Sequence, residues 1–143
     1  MTAEFTPLDE RQCLSLLGRA AVGRLVYTTG ALPAVLPVRY RLSADGSVLL
    51  RTDADPEIAR AVADAVVAFE VSQLDEADGS GWTVTVLGRA DVIRPANDAR
   101  PLTPDPPGPA TATDRATVRI RAELVTGRSL AGTPVREAGT SSG

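Results

Sequence analysis

The stretch Ala34-Val35-Leu36-Pro37-Val38-Arg39-Tyr40-Arg41-Leu42 decides the class of fold, because its side chains alternate in character from one residue to the next. The even-numbered residues are all apolar or aromatic, whereas the odd-numbered residues include a proline and two arginines. Successive side chains of a β-strand point to opposite faces of a sheet. This period of two therefore predicts a strand with one face in a core, and the chain is predicted to be mainly β.

Turn signals on both sides of this stretch predict antiparallel neighbours. Asp45-Gly46, a strong hairpin signal, leads into a predicted strand over residues 48–52. On the other side, residues 21–30 have strand composition and end at a turn marked by Gly30 and Pro33. Further along the chain, the same criteria predict three more strands, over residues 66–74, 82–94 and 118–124.

Two short helices are predicted from capping patterns. Thr6-Pro7 followed by Asp9-Glu10 has the character of an N-cap, a first helical position and an acidic first turn, and this helix should end near Gly18. In the same way, Asp55-Pro56 predicts the start of a helix within residues 53–64. Both helices are minor elements of a β fold.

Six strands and two short helices, joined mostly by hairpin-length turns, favour one antiparallel barrel. A length of 143 residues suits a single domain, which we place at residues 1–130. Residues 131–143 are predicted to be a disordered tail, and the proline-rich residues 95–116 a long loop or lid. Since a small chain with two-sided strands often completes its core by association, we expect a dimer.

Charge and composition exclude several classes of function. The net charge is −3 and the isoelectric point is about 4.9, which argues against nucleic acid as a partner, because that interaction needs a basic surface. Histidine is absent and all 15 basic residues are arginine. Catalysis by Ser/His/Asp or Cys/His sets, Schiff-base chemistry and a P-loop lysine are therefore excluded. If the chain is an enzyme, we expect a bound cofactor to supply the reactive group.

Cysteine content and hydropathy indicate the cellular setting. Cys13 is the single cysteine, so an internal disulfide and a thiolate metal site are excluded, and no metal site is expected. No apolar stretch approaches the ~20 residues that span a bilayer. The N-terminal residues also lack the basic and apolar regions of a signal peptide. We therefore expect a cytoplasmic protein without a membrane partner.

Five blocks of the sequence carry a family resemblance when they are taken together. They are Val22-Gly23-Arg24-Leu25, Leu36-Pro37-Val38-Arg39-Tyr40, Leu50-Arg51-Thr52-Asp53, Val67-Ala68-Phe69-Glu70-Val71 and Gly81-Trp82-Thr83-Val84-Thr85-Val86-Leu87-Gly88-Arg89-Ala90. Each block alone is nonspecific, but their order and spacing between about residues 8 and 130 resemble small proteins of the pyridoxamine 5'-phosphate oxidase-like family. That family has the FMN-binding split β-barrel.

The resemblance implies a homodimeric, six-stranded split β-barrel that holds FMN at the subunit interface. The segment Pro37-Val38-Arg39-Tyr40 would lie along the isoalloxazine ring, and Arg51 with Thr52 would approach the ribityl chain and the phosphate. Trp82 would border the site from the other side, although a role as a core or interface anchor explains it equally well. Three arginines near the C-terminus are further candidates for anion contacts, Arg119, Arg121 and Arg128.

Two departures from the family pattern bear on the cofactor. Asp55-Pro56-Glu57-Ile58 stands where relatives that bind FMN commonly have a Gly-Ser-Lys-Leu type segment. Glu57 therefore replaces a cation by an anion near the expected phosphate, which changes attraction into repulsion. Arg39 stands where the family usually has asparagine. As a larger cation, Arg39 could stabilise an anionic reduced flavin or simply fill the pocket; Arg39 and Arg41 also fit an ordinary solvated strand face.

Two functional hypotheses follow from these observations. The first is a flavin-dependent oxidoreductase that transfers electrons or hydride to a small planar acceptor, with FMN as cofactor and a deazaflavin as the alternative. The second is a non-catalytic dimer that binds a flavin, a deazaflavin or a haem-like ligand and has lost the usual phosphate site. No side chain is assigned as catalytic, and the sequence names neither substrate nor electron donor.

Overall fold

The computed structural model describes residues 5–51, 56–93 and 117–132, and these form ten regular elements. In chain order they are β1 (Phe5–Leu8), α1 (Glu10–Leu17), β2 (Val22–Thr29), β3 (Leu32–Leu42), β4 (Val48–Arg51), α2 (Pro56–Val62), β5 (Val66–Leu74), β6 (Gly81–Ile93), β7 (Thr117–Ile120) and β8 (Leu124–Leu130). Predictions for Asp55 as a cap, for Thr52, for the loop 95–116 and for most of the tail 131–143 lie outside the described residues.

Six of the strands close into an antiparallel barrel in the order β2, β3, β4, β7, β6, β5. The long strands β3 and β6 each belong to two sheets. Along β6, Gly81–Arg89 pairs with β5, and Ala90–Ile93 pairs with β7. Sharing two strands between two sheets makes this a split barrel. The mainly β, six-stranded antiparallel barrel with two helices is thus confirmed.

Strands β1 and β8 extend one of these sheets beyond the barrel, and the sequence did not predict them. β8 pairs with the first half of β6, and β1 pairs with β8. The prediction of a helix start at Thr6-Pro7 was wrong, because Asp9 is the N-cap of α1. The Asp9 carboxylate accepts a hydrogen bond from the Gln12 amide at 2.8 Å, and the Gln12 side chain accepts one from the Asp9 amide at 2.9 Å. This reciprocal capping box outcompetes the weaker Thr-Pro signal, and Pro7 is tolerated because β1 is an edge strand.

The inward-facing side chains of each strand fill the barrel interior, as the alternation of apolar and polar residues predicts. On β3, Tyr40 is 9% exposed, whereas its neighbours Arg39 and Arg41 are exposed. Phe69 is fully buried and its ring lies against Gly23 of β2, where a Cβ would be 2.4 Å from the ring. Burying a side chain such as Phe69 contributes about 2 kcal/mol to the free energy of folding. The helices pack on the barrel, α1 against β8 and β6, and α2 against β2 and β6.

Candidate functional site

Five arginines lie on the outer surface of the barrel where β3, β4 and β7 run side by side. This surface, here called the arginine face, consists of Arg39, Arg41, Arg51, Arg119 and Arg121. The sheet register places Arg41 beside Leu49, Leu49 beside Arg119, and Arg119 beside Asp91 of β6. Side chains two residues apart on a strand share a face, so Arg39 and Arg51 lie one step further along the same surface.

Asp91 holds two of these arginines in place. Its Oδ2 accepts a hydrogen bond from Nη2 of Arg119 at 2.9 Å and from Nε of Arg121 at 3.1 Å. These hydrogen bonds, from Arg119 first, lower the pKa of the Asp91 carboxyl below its ordinary value, so Asp91 is ionised at neutral pH. One carboxylate thus binds two guanidinium groups, so the net charge of these three side chains is positive.

A second carboxylate, Asp45, lies in the β3–β4 turn near the same surface. It accepts hydrogen bonds from the Ser43 hydroxyl and from the Ser47 amide, the latter at 2.9 Å. These bonds, the Ser43 contribution first and Arg119 as a minor one, lower the pKa of Asp45 from 3.8 to about 2. The hydrogen bonds of Asp45 are used within its own turn, so it shapes the hairpin that aligns β3 with β4.

The predicted ring-binding segment of β3 is divided between the two faces of the strand. Pro37 and Arg39 are exposed on the outer face, whereas Val38 and Tyr40 point into the barrel. The Tyr40 ring packs edge-on against Phe69 with centroids 4.8 Å apart. Its hydroxyl donates a hydrogen bond to the Leu17 carbonyl at 2.5 Å, and burial raises the pKa of the Tyr40 phenol. A ligand on the outer face would meet Val38 and Tyr40 only through their backbone.

Trp82 lies at the other end of the sheet. Trp82 is the second residue of β6, and its side chain faces inward and is half-buried against the core. It pairs with Gln73 on β5 and Ser129 on β8. It also lines a shallow cleft of about 600 Å³ with residues 72–75, Ser80 and Gly81. Three strand spacings, about 14 Å, separate β6 from β3 here. Within the chain, therefore, Trp82 is not brought to Pro37 and Arg39.

The remaining predicted anion contacts are placed apart. Arg51 ends β4 and is exposed, whereas Thr52 lies outside the described residues. Arg128, on β8, stacks over the Phe5 ring with its guanidinium carbon 5.3 Å from the centroid. It thus belongs to the β1–β8 extension and not to the arginine face. Glu57 is exposed in the first turn of α2.

The outer surface also carries an apolar row that the sequence analysis missed. Val35 pairs with Val26, Val26 with Ala68, Ala68 with Leu87, and Leu87 with Leu124, so one line of apolar side chains crosses five strands. Val35 is 59% exposed and Leu124 is 53% exposed. The signal in the sequence was Val35, an apolar residue in the otherwise polar series of β3. We call this surface the outer apolar row.

Two further properties concern the described part of the chain as a whole. Within residues 5–51, 56–93 and 117–132, no group of three or more acidic or cysteine side chains lies close enough to hold a metal ion. The helices in these same ranges are too short or too polar to cross a membrane. Cys13 is buried, and burial, followed by the charges of Asp9 and Glu10, raises the pKa of its thiol.

The closed barrel, its two shared strands and its two helices define the chain as a split β-barrel protein. Residues 9–129 match the family described as pyridoxamine 5'-phosphate oxidase. The chain therefore belongs to the pyridoxamine 5'-phosphate oxidase family, and the resemblance of its five sequence blocks is confirmed.

Individual relatives agree with this assignment. The uncharacterized protein Rv0080 of Mycobacterium tuberculosis is 39% identical over 130 residues, which cover 87% of this chain and 84% of the relative. The structure of an FAD binding protein from Mycobacterium smegmatis is 25% identical with a TM-score of 0.67, covering 89% of this chain and 99% of that one. A conserved protein of unknown function from Corynebacterium diphtheriae is 30% identical with a TM-score of 0.69, covering 90% of this chain and 100% of that one.

Proposed function

We propose that this protein binds a flavin on the outer surface of β3 and acts as an oxidoreductase. The observation that carries the proposal is that exposed Pro37 and Arg39 on β3 share the outer surface with exposed Arg51 at the end of β4. A flavin presents a flat ring and a phosphate with nearly two negative charges, and this surface offers an apolar patch next to guanidinium groups. Arginine suits phosphate because its planar fork donates two parallel hydrogen bonds.

The side chains on this surface are better suited to binding a flavin than to catalysing a reaction by themselves. With no histidine or lysine in the chain, proton transfer and nucleophilic attack by those side chains are absent. A bound flavin supplies the electron or hydride transfer. The protein's part is to position the ring beside Pro37, to neutralise the phosphate with Arg51, and to place the positive charge of Arg39 close to the ring system.

The form of the flavin is part of the proposal. FMN follows from the family resemblance, whereas the similar Mycobacterium smegmatis protein is described as an FAD binding protein. A deazaflavin with a longer phosphate-bearing tail is the third candidate. We propose FMN or FAD before a deazaflavin, because the similarity to a flavin-binding relative extends over nearly the whole chain.

We further propose that the working form is a homodimer with the flavin at the interface. The outer apolar row supports this, because Val35, Leu87 and Leu124 are exposed within it and large contiguous apolar patches are rare on monomeric proteins. The row reaches β3 at Val35, two residues from Pro37. A second copy seated on the row would therefore lie beside the proposed flavin surface, and it could bring its own Trp82 towards a ring that Trp82 of the first copy does not reach.

The experiment that tests flavin binding is a titration of the purified full chain with FMN, FAD and a deazaflavin, followed by absorption and fluorescence quenching. We expect Arg51→Ala to weaken the affinity for the preferred flavin at least tenfold, and Arg11→Ala, which removes an exposed charge from α1, to leave it unchanged. If no flavin binds at tens of micromolar, the proposed function is wrong. If binding is followed by bleaching with a reduced nicotinamide, the oxidoreductase part is supported as well.

Glu57 is the observation that favours the second function, a non-catalytic ligand-binding dimer. It places a carboxylate in the exposed first turn of α2, where the family resemblance implies a cation. If this carboxylate repels the flavin phosphate, Glu57→Lys should tighten FMN binding several-fold. An unchanged affinity for FMN would mean that the phosphate does not lie near α2.

A further inference from the structure

The outer face of the sheet carries a close ion pair that lies apart from the arginine face. Nε and Nη2 of Arg24 on β2 both donate to Oε1 of Glu70 on β5, at 3.2 and 2.9 Å. We propose that this pair is the polar centre of the interface between two copies of the chain, with Arg24 of each copy bound to Glu70 of the other. The proposal rests on the dimer of the proposed function, and it adds the contact that fixes how the two copies are arranged.

The ion pair lies directly beside the outer apolar row. The sheet register aligns a second row across the same five strands, which consists of Pro37, Arg24, Glu70, Thr85 and Thr126. Each of these residues is two positions away from a member of the outer apolar row, so the two rows share one face and run side by side. A second copy that covers the outer apolar row therefore covers Arg24 and Glu70 as well.

Both charged groups have hydrogen-bonding capacity left for a partner. The side chain of Arg24 is 52% exposed and that of Glu70 is 34% exposed. Nη2 of Arg24 also donates to the Ser72 hydroxyl at 3.3 Å, whereas Nη1 makes no hydrogen bond among the described residues. Oε2 of Glu70 accepts a long hydrogen bond from the Thr83 hydroxyl, at 3.3 Å. Covering these groups without giving them further partners would remove their hydration, which is costly.

Two-fold symmetry supplies the further partners from the same two residues. In a symmetric dimer both copies present the same patch, so that one residue meets a second residue of the other copy, and the second meets the first. An axis that runs parallel to the strands, midway between β2 and β5, places each Arg24 against Glu70 of the other copy. The four charges then alternate in sign. Across the same axis, Val26 of one copy faces Ala68 of the other.

The charges distinguish this arrangement from its neighbours. An axis along β5 would place Glu70 against Glu70 of the second copy, and an axis along β2 would place Arg24 against Arg24. Either arrangement sets like charges together in a covered interface, which opposes association. The outer apolar row does not choose among these axes, because each of them still sets row upon row. We therefore assign the choice of axis to the Arg24–Glu70 pair.

The competing explanation is an ordinary surface ion pair within one chain. Exposed pairs of this kind contribute little to stability. Reversing both charges in one chain would restore such a pair, whereas mixing two chains that each carry one reversed charge would not. The two explanations therefore differ in whether separately altered chains complement each other.

Charge reversals in separate chains test the proposal. We expect Arg24→Glu and Glu70→Arg each to raise the dimer dissociation constant at least ~30-fold, because symmetry repeats the like-charge contact twice. An equimolar mixture of the two variants should form a heterodimer about as tight as the natural dimer, since every contact is again between opposite charges. Native mass spectrometry identifies the species at a concentration where each variant alone is monomeric. Arg11→Glu, a matched reversal of an exposed charge on α1, should dimerise like the natural chain.

A double variant serves if either single variant fails to fold, which circular dichroism reports. The chain that carries both Arg24→Glu and Glu70→Arg keeps an ion pair within itself. It should dimerise with itself but not with an isotope-labelled natural chain, because mixed dimers would place like charges together. Free exchange between these two chains overturns the proposal. Single variants that dimerise like the natural chain, or a mixture in which heterodimers form only at the random proportion of one half, also overturn it.

The flavin titration separates this result from the proposed function. If the two single variants complement each other but no flavin binds, the flavin proposal fails and the interface stands. If the natural chain binds flavin but is monomeric at all concentrations, the interface is wrong and the flavin surface stands.

Discussion

The hydroxyl of Tyr40 donates a hydrogen bond to the backbone carbonyl of Leu17, which ties strand β3 to the last turn of helix α1. Tyr40 therefore has a structural partner inside the barrel, although it belongs to the segment that the resemblance places along a flavin. We expect Tyr40→Phe to lower the free energy of unfolding by about 1–2 kcal/mol, because the buried carbonyl loses its donor. Flavin affinity should change less than twofold.

Chemical denaturation and the flavin titration together check this prediction. Tyr27→Phe is the matched control, because the structure gives the Tyr27 hydroxyl no hydrogen bond among the described residues. If Tyr40→Phe kept full stability but no longer bound flavin, the Tyr40 hydroxyl would contact the ligand, which contradicts its buried position inside the barrel.

The alternation along β3 was the most informative signal in the sequence, and it already separates Arg39 from Tyr40. Residues one apart on a strand face opposite ways, so no ligand can contact all four side chains from Pro37 to Tyr40. The strands of the barrel were predictable because each buries one face. The extension by β1 and β8 was not, since β1 spans only Phe5–Leu8 and β8 contains Gly127. Their pairing depends on contacts distant in sequence, which periodicity does not report.

The candidate site was predictable in its residue types but not in its arrangement. Because the chain has no lysine or histidine, arginine is its only basic residue type and therefore the only candidate cation. The strand register then determines which arginines lie on the same surface. Arg119 and Arg121 are brought to the face by β7, whereas Arg128 is carried away by β8. A one-residue shift in the register of β7 would have turned the Arg119 side chain into the barrel.

Gly88 of β6 marks a close approach of backbones that no larger residue can replace. A Cβ at this position would lie 1.7 Å from the Arg121 carbonyl oxygen, where the chain passes from β7 to β8. We expect Gly88→Ala to destabilise the fold by about 3 kcal/mol or to prevent folding. Gly18→Ala is the control, because the nearest atom to its Cβ would be 3.6 Å away. Equal thermal midpoints for the two variants would show that β6 can move away from Arg121 at little cost.

Acid stability should depend on Asp45. Its folded pKa of about 2 lies below the ordinary value of 3.8, so its carboxylate stabilises the fold above about pH 4, and this contribution disappears as the pH falls towards 2. Asp45→Asn should therefore be less stable at pH 7 and should lose less stability than the natural chain between pH 5 and pH 2. Urea denaturation across this range measures both quantities. Glu76→Gln, which removes an exposed charge from the β5–β6 turn, should lose stability in acid as the natural chain does.

The outer apolar row makes a specific prediction about assembly. Leu87 lies within the row, between Ala68 and Leu124, and is 36% exposed. A carboxylate at this position would be buried without a partner if a second copy covers the row, which is costly. We expect Leu87→Asp to raise the dimer dissociation constant at least ~30-fold, which corresponds to about 2 kcal/mol, and Ala44→Asp in the exposed β3–β4 turn to leave it unchanged.

Light scattering after size-exclusion chromatography reports the mass, and circular dichroism confirms that the variant is folded. A folded Leu87→Asp variant that remains as dimeric as the natural chain would exclude this row as the interface, and a natural chain that is monomeric at all concentrations would exclude the dimer itself.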